Sequence, residues 1–166
     1  ILTYLKPNGL PQGVLPIANA GLDVSNVAKG FAIGWPIDPA ASVRRLAEGV
    51  GKHSGKRVAV IIGDSCCMPA RIGVVAFALT VCGIDPFIDN VGRTDIFGNT
   101  FSMTREATAD QLCTAANFVM GNTAERTPAA IVRGHGLPMS DFCGWVPGID
   151  PQTDLFPSFQ KIEDGL

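Results

Sequence analysis

Apolar positions in this chain change period from block to block. Val58-Ala59-Val60-Ile61-Ile62 is an unbroken run of β-branched and small residues, the pattern of a strand covered on both faces, and it predicts a central strand over 57–62. Upstream, Val43, Leu46, Ala47 and Val50 recur at helical spacing and form an inner face, with Arg44, Arg45 and Glu48 turned outward. Asp38-Pro39 supplies an N-cap and a proline at the first helical position, and Gly49, Gly51 and Gly55 mark the end of that helix. A second helix is predicted over 108–120, where Leu112, Ala115, Ala116 and Val119 are spaced by three and four, and it stops at Gly121.

The remaining blocks are shorter. Ile17 opens a strand-like stretch that runs into small and polar residues up to Asn26, and Lys29 to Pro36 reads as another strand closed by its proline. The apolar segment 72–81 has the length of a buried strand or a short helix, 101–105 and 129–132 read as short strands, and 83–99 is rich in turn residues. Pro7, Gly9, Pro11, Gly13 and Pro16 break the first segment into a connector with at most one short strand. Pro138, Pro147, Pro151 and Pro157 make the last segment an irregular tail that wraps the body or a partner chain. Three parts result: a connector or remnant of an N-terminal lobe over 1–16, a main domain over 17–134, and a Pro-rich tail over 135–166. Strands and helices interleave without a regular βαβ rhythm, so the class is α+β.

With 166 residues the chain can bury one real core. At 46% hydrophobic and 17% charged it is not a disordered or solvated tail. A formal net charge of −2 with no Lys/Arg run disfavours binding to a nucleic-acid backbone. No uninterrupted apolar run reaches the ~18 residues of a membrane span, and no charged segment leads into an apolar one as in a signal peptide, so a soluble protein is expected. The chain opens on Ile1, apolar and without Met, which reads as a processed product or the later part of a longer polypeptide. The five cysteines, Cys66, Cys67, Cys82, Cys113 and Cys143, are odd in number, include an adjacent pair and lack C-x-x-C spacing. That pattern argues against a disulfide framework and against structural zinc, and it fits a reducing, cytoplasmic setting.

No G-x-x-x-x-G-K-[ST] phosphate loop is present, nor a G-x-G-x-x-G after a strand. His53 and His135 stand far apart with no metal-ligand spacing and read as surface residues. A nucleophile pair of Cys66 or Cys67 with His135 lacks an orienting third group. The acids form the better constellation. Asp23 and Asp64 each follow an apolar strand-like stretch, and each has a hydroxyl nearby, Ser25 or Ser65. Asp64 and Ser65 would sit where the central strand leaves the core. Two strand ends side by side would bring the carboxylates together, and a divalent cation relieves their repulsion. Magnesium or manganese held by Asp23, Asp64 and the Ser65 hydroxyl would keep open positions for phosphate oxygens. The plain structural alternative is that Asp64 and Ser65 cap the next element or close an Asx turn.

Five stretches occur in one order: Asn19-Ala20-Gly21-Leu22-Asp23-Val24-Ser25-Asn26, Gly63-Asp64-Ser65, Gly92-Arg93-Thr94-Asp95-Ile96-Phe97-Gly98, Asn117-Phe118-Val119-Met120-Gly121, and Ile131-Val132-Arg133-Gly134. Together they resemble the coenzyme F420-0:gamma-glutamyl ligase (coenzyme F420:L-glutamate ligase) family over roughly 17–134. The resemblance implies a GTP- and divalent-metal-dependent ligase that adds L-glutamate to the carboxylate of an F420 precursor through an acyl phosphate. It implies metal-binding roles for Asp23, Asp64 and Ser65, a place near the nucleotide for Asn26, and a nucleotide-contacting loop at Met120, Gly121, Asn122 and Thr123. A loop at the C-terminal end of a helix suits base or ribose better than phosphate. The family fold is an unusual α+β arrangement in intertwined homodimers, which gives the Pro-rich tail a role in dimerisation.

The chain departs from the family after the Asp-Ser pair. The family's Phe-Gly-Arg-Pro-Trp-Arg is replaced by Cys66-Cys67-Met68-Pro69-Ala70-Arg71, its glutamine by Val74 and its acid by Ala76. Apolar residues at those two positions remove hydrogen-bonding groups from substrate or from the shell of a second metal. The family's N-terminal segment, which supplies part of the GTP site, is expected to be missing. Three functions remain open: a ligase, with the family's acceptor or another; a non-catalytic ligand- or partner-binding module of the same fold; and a thiol enzyme using Cys66 or Cys67.

Overall fold

The computed structural model describes residues 2–150 and 152–154. Its centre is a three-stranded antiparallel sheet in the order β3 (Val60–Cys67), β4 (Val74–Cys82), β7 (Cys143–Trp145). One face is covered by the hairpin of β1 (Leu2–Leu5) and β2 (Leu15–Ala18) and by helix α1 (Pro39–Ser54), the other by helix α2 (Thr108–Met120). A small hairpin, β5 (Ile88–Asp89) with β6 (Arg105–Glu106), stands outside this sandwich.

The apolar run at 58–62 serves both faces, as its pattern predicts. Ile62 packs with Leu10, Leu15, Ile17, Leu79 and Trp145 on the hairpin side. Ala59 and Ile61 pack with Ala78, Val81, Ile84 and Ala109 on the α2 side. Leu79 is almost wholly buried, and burial of a leucine side chain is worth about 2 kcal/mol. The strand itself begins later and runs further than predicted, from Val60 through Gly63, Asp64 and Ser65 to Cys67.

Both helices form where the spacing places them. In α1 the Asp38 carboxylate accepts from the Ala41 N–H at 2.8 Å, Pro39 occupies the first turn, and Gly55 ends the helix in the left-handed region. Its inner face is narrower than predicted. Val43 is fully buried, while Leu46 and Val50 stay about half exposed. In α2 the buried residues are Thr108 and Ala109 at the start, whereas Val119 is 69% exposed.

Helix α2 is fixed by polar groups as much as by apolar ones. β7 pairs with β4 only over Thr80–Cys82. Below that limit the β4 main chain is met by α2 side chains: Asp110 accepts from the Ala78 N–H at 2.8 Å, Cys113 donates to the Phe77 carbonyl at 3.4 Å, and Thr114 donates to the Ala76 carbonyl at 2.6 Å. Such bonds satisfy strand groups that would otherwise be buried without partners.

Several predicted strands are not strands. Residues 29–36 make only a bridge, Asp23 with Ile33, and 101–105 contribute no more than Arg105 to β6. Residues 129–132 are irregular. Backbone hydrogen bonds in these stretches close local turns, so a short apolar run alone does not find a ladder partner. The proline-broken start holds two strands rather than at most one, because residues 6–14 form the hairpin connection. The last segment is not merely a wrap: β7 is a sheet strand and Trp145 is a core residue. Pro151 and Pro157 lie outside the described residues.

One cysteine pair corrects the reading of the five as unpaired. β4 and β7 place Cys82 and Cys143 opposite each other in register, and the two form a disulfide. Their separation of 61 positions hid the pairing from any spacing rule. Among the described residues no helix is long and apolar enough to cross a membrane.

Candidate functional site

Asp64 does not sit at a strand exit. It lies within β3, one residue past a break in register: Ile62 pairs with Thr80, but Gly63 pairs with Ala78, so Leu79 is the extra residue. A bulge of this kind sharpens local twist and re-aims the side chains beside it. Gly63 fits because a side chain there would run into the Cys113 sulfur and come within 2.9 Å of the Phe77 carbonyl oxygen.

Both oxygens of the half-buried Asp64 carboxylate are engaged. Oδ2 accepts from the Trp35 indole N–H at 2.7 Å, and Oδ1 accepts from the Ser65 N–H at 2.7 Å. Each oxygen keeps a lone pair beyond the one in use. The Trp35 bond comes from 29 positions away and fixes the side chain in a way that no local turn could.

Asp23 stands in the loop after a 3-10 turn at Asn19–Gly21, and it is exposed. Its main chain exchanges two hydrogen bonds of 2.8 Å with Ile33. Its side chain is held by Ser25, whose hydroxyl donates to Oδ2 at 2.6 Å and whose N–H donates to Oδ1 at 2.7 Å. These bonds, the Ser25 hydroxyl first, hold its carboxyl below the usual aspartate range. Asn26 follows in the left-handed region at φ 53°, exposed.

The link between the two acids is Trp35. It lies two residues beyond Ile33, the main-chain partner of Asp23, and its N–H reaches Asp64. The loop of one acid is thereby tied to the strand of the other. Ser65 is half-buried next to Asp64 and pairs with Ala76. Among the described residues no group of three or more His, Cys, Asp or Glu side chains is gathered as for an ion. Asp23, Asp64 and Ser65 carry hard oxygen donors, the ligand class suited to magnesium or manganese.

The loop at Met120–Thr123 is tied to itself. Asn117 Nδ2 donates to the Gly121 carbonyl at 3.3 Å and to Asn122 Oδ1 at 3.1 Å. The Thr123 N–H and hydroxyl each donate to the Glu125 carboxylate at 2.8 Å, and the hydroxyl bond leads in holding Glu125 below its ordinary pKa. Gly121, at φ 75°, leaves room for the Glu125 carboxylate, which any side chain there would strike. Beside this loop a cleft of about 380 Å³ opens between α2 and residues 127–133, with Arg133 in its wall.

The Cys66 and Cys113 thiols are not set up as nucleophiles. Burial, then neighbouring Cys67, pushes the Cys66 thiol up. Burial, then Asp110 and Asp64, pushes Cys113 up to about 11. A nucleophilic cysteine needs the opposite shift. The His135 ring nitrogen Nδ1 accepts from the Leu137 N–H in its own exposed loop.

Two contributors escaped the sequence. Trp35 carried no signal beyond preceding a proline. Asp110 sits in the first turn of α2, where an acid normally reads as a solvated charge favoured by the helix start; instead burial raises its pKa against the lowering effect of the Ala78 N–H. Of the two departures from the resembled family, Ala76 is buried with its carbonyl taken by Thr114, while Val74 is about half exposed at the start of β4.

A sequence model described as F420-0:Gamma-glutamyl ligase matches residues 10–134. Curated relatives named coenzyme F420:L-glutamate ligase are similar to the same region. The protein of Methanothermobacter thermautotrophicus is 42% identical over 118 residues, 71% of this chain and 47% of the relative. That of Methanocaldococcus jannaschii is 41% identical over 124 residues, 75% and 49%, and that of Archaeoglobus fulgidus is 40% identical over 116 residues, 70% and 47%. The chain spans about half the length of the curated relatives it matches.

Proposed function

The chain belongs to the F420-0:gamma-glutamyl ligase family, and from that premise we propose that it takes part in a GTP-dependent ligation of L-glutamate to the carboxylate of a coenzyme F420-type acceptor. In the proposed sequence the γ-phosphoryl group of GTP passes to the acceptor carboxylate, giving an acyl phosphate and GDP. The glutamate amine then attacks the acyl carbon, an amide bond forms, phosphate leaves and the amine loses its proton. Asp23, Asp64 and Ser65 would hold the magnesium or manganese ion, which when bound offsets charge on the phosphates. Asn26 and the loop Met120–Thr123 would contact the nucleotide, with the neighbouring cleft and Arg133 on its flank. Supporting this is the name shared by the matched relatives.

The observation that carries the reading is Asp64. A carboxylate inside a bulged strand, gripped by an indole N–H from a distant loop, is preorganised in the way that ion and phosphate chemistry requires. The reading includes a homodimer, for which Phe97, Phe118 and Ile131, each more than three-quarters exposed, offer apolar surface.

Calorimetric titration of the protein with Mn²⁺ and then GTP tests it. Mn²⁺ heat that disappears in Asp64→Ala and in Asp23→Ala, with GTP binding that depends on the ion, supports the ligase. Failure of both ligands to bind leaves the second reading, a non-catalytic module of the same fold. Val74 and Ala76 favour that second reading, since their apolar side chains cannot hydrogen-bond substrate.

A further inference from the structure

Trp35 is the most constrained side chain around the site whose role the family membership leaves unexplained. Its half-buried indole donates to Asp64 at 2.7 Å. The ring meets Trp145 edge-on, with centroids 6.3 Å apart and planes at 60°, within the favoured range for aromatic pairs. On another side Gly21 packs beside it, where a Cβ would lie at ordinary contact distance from the ring, 3.6 Å. Trp145 itself is only 6% exposed. It pairs with Thr80 in β4, and two residues before it Cys143 is bonded to Cys82. Thus a continuous path of packed and bonded groups runs from the stapled sheet through Trp145 and Trp35 to one oxygen of Asp64. The other oxygen is held by the Ser65 N–H, so the rotamer of the carboxylate is fixed from two directions. The same Trp35 follows the bridge that anchors Asp23.

We infer that Trp35 is a positioning residue: its indole N–H sets the orientation of the Asp64 carboxylate, its loop registers Asp23 against β3, and Trp145 braces the ring. The inference rests on the reading of Asp64 as an ion ligand given above, yet it concerns contacts that exist without an ion. Groups that hydrogen-bond to a ligating side chain orient it, and their loss typically costs about 10- to 100-fold in metal affinity.

The chain has two tryptophans, so an ¹⁵N-labelled sample shows two indole N–H resonances, assigned with Trp145→Phe. Asp64→Asn, an isosteric change from a charged to a neutral acceptor, should move the Trp35 resonance and leave that of Trp145 in place. Trp35→Phe keeps a ring against Trp145 but has no N–H; it should bind Mn²⁺ about 10- to 100-fold more weakly than wild type, with no larger loss from Trp35→Leu. A Trp35 resonance indifferent to Asp64→Asn overturns the inference, whether or not the Trp35 variants fold. Wild-type Mn²⁺ affinity in Trp35→Phe with loss only in Trp35→Leu also overturns it, since packing alone would then be the role. Wild-type protein that binds no Mn²⁺ while the Trp35 resonance still answers to Asp64→Asn refutes the ion reading and upholds the bracing of Asp64.

Discussion

Asp23 and Asp64 are the same side chain with a serine close by, yet the fold treats them differently. Asp23 is exposed and takes its partners from Ser25, two residues along its own loop. Asp64 is half-buried and takes one partner from 29 positions away. One acid is shaped by its loop; the other is shaped by the whole sheet. In the proposed ion site one acid would be a ligand held by the sheet and the other a ligand held by its own loop, and removing each should give different signatures.

The largest expected effect breaks the rigid arm. Gly63→Ala sets a methyl group against the Cys113 sulfur and the Phe77 carbonyl. It should lower stability by about 3 kcal/mol, the upper range for overpacking, read as a reduced urea midpoint. Next comes Asp64→Ala, which leaves the Trp35 N–H without its acceptor and should cost about 1–3 kcal/mol. Asp23→Ala should stay within about 0.5 kcal/mol, as exposed changes do. Both should abolish the proposed Mn²⁺ binding, so equal stability losses in the two variants would erase the contrast.

Smaller effects appear on acidification. Burial holds the Asp110 pKa above its ordinary value, so the folded chain keeps that proton better than the unfolded one and gains stability as pH falls. Asp110→Asn removes that gain, and urea midpoints from pH 6 to 3 should fall more steeply than in wild type. Asp23 has the opposite sign. Its pKa is lowered by Ser25, so its contribution is present above the ordinary carboxylate range and lost as pH falls through the folded value. Ser25→Ala should therefore flatten the acid limb, the smallest change of the series because the group is exposed.

Those contrasts track what the sequence could reveal. Both helices were legible because their signals are local: Asp38-Pro39 and Gly55 bracket one, and the spacing up to Gly121 brackets the other. Family membership was legible because short stretches kept their order across 10–134. The position of Asp64 within its strand was not, since a bulge at Leu79 belongs to the pairing of two strands and leaves no mark in either. Nor was β7. Its three residues are followed by Val146-Pro147-Gly148, a turn signal that outweighs so short a ladder. Trp35 escaped for the same reason as the Cys82–Cys143 bond: each meets a partner far along the chain, chosen by tertiary packing.

The bond between Cys82 and Cys143 closes a covalent ring around everything from Gly83 to Phe142, α2 and the β5–β6 hairpin included. A protease that nicks any exposed turn inside that ring, such as 121–128, yields two fragments that still travel together on a non-reducing gel and part only when thiol is added.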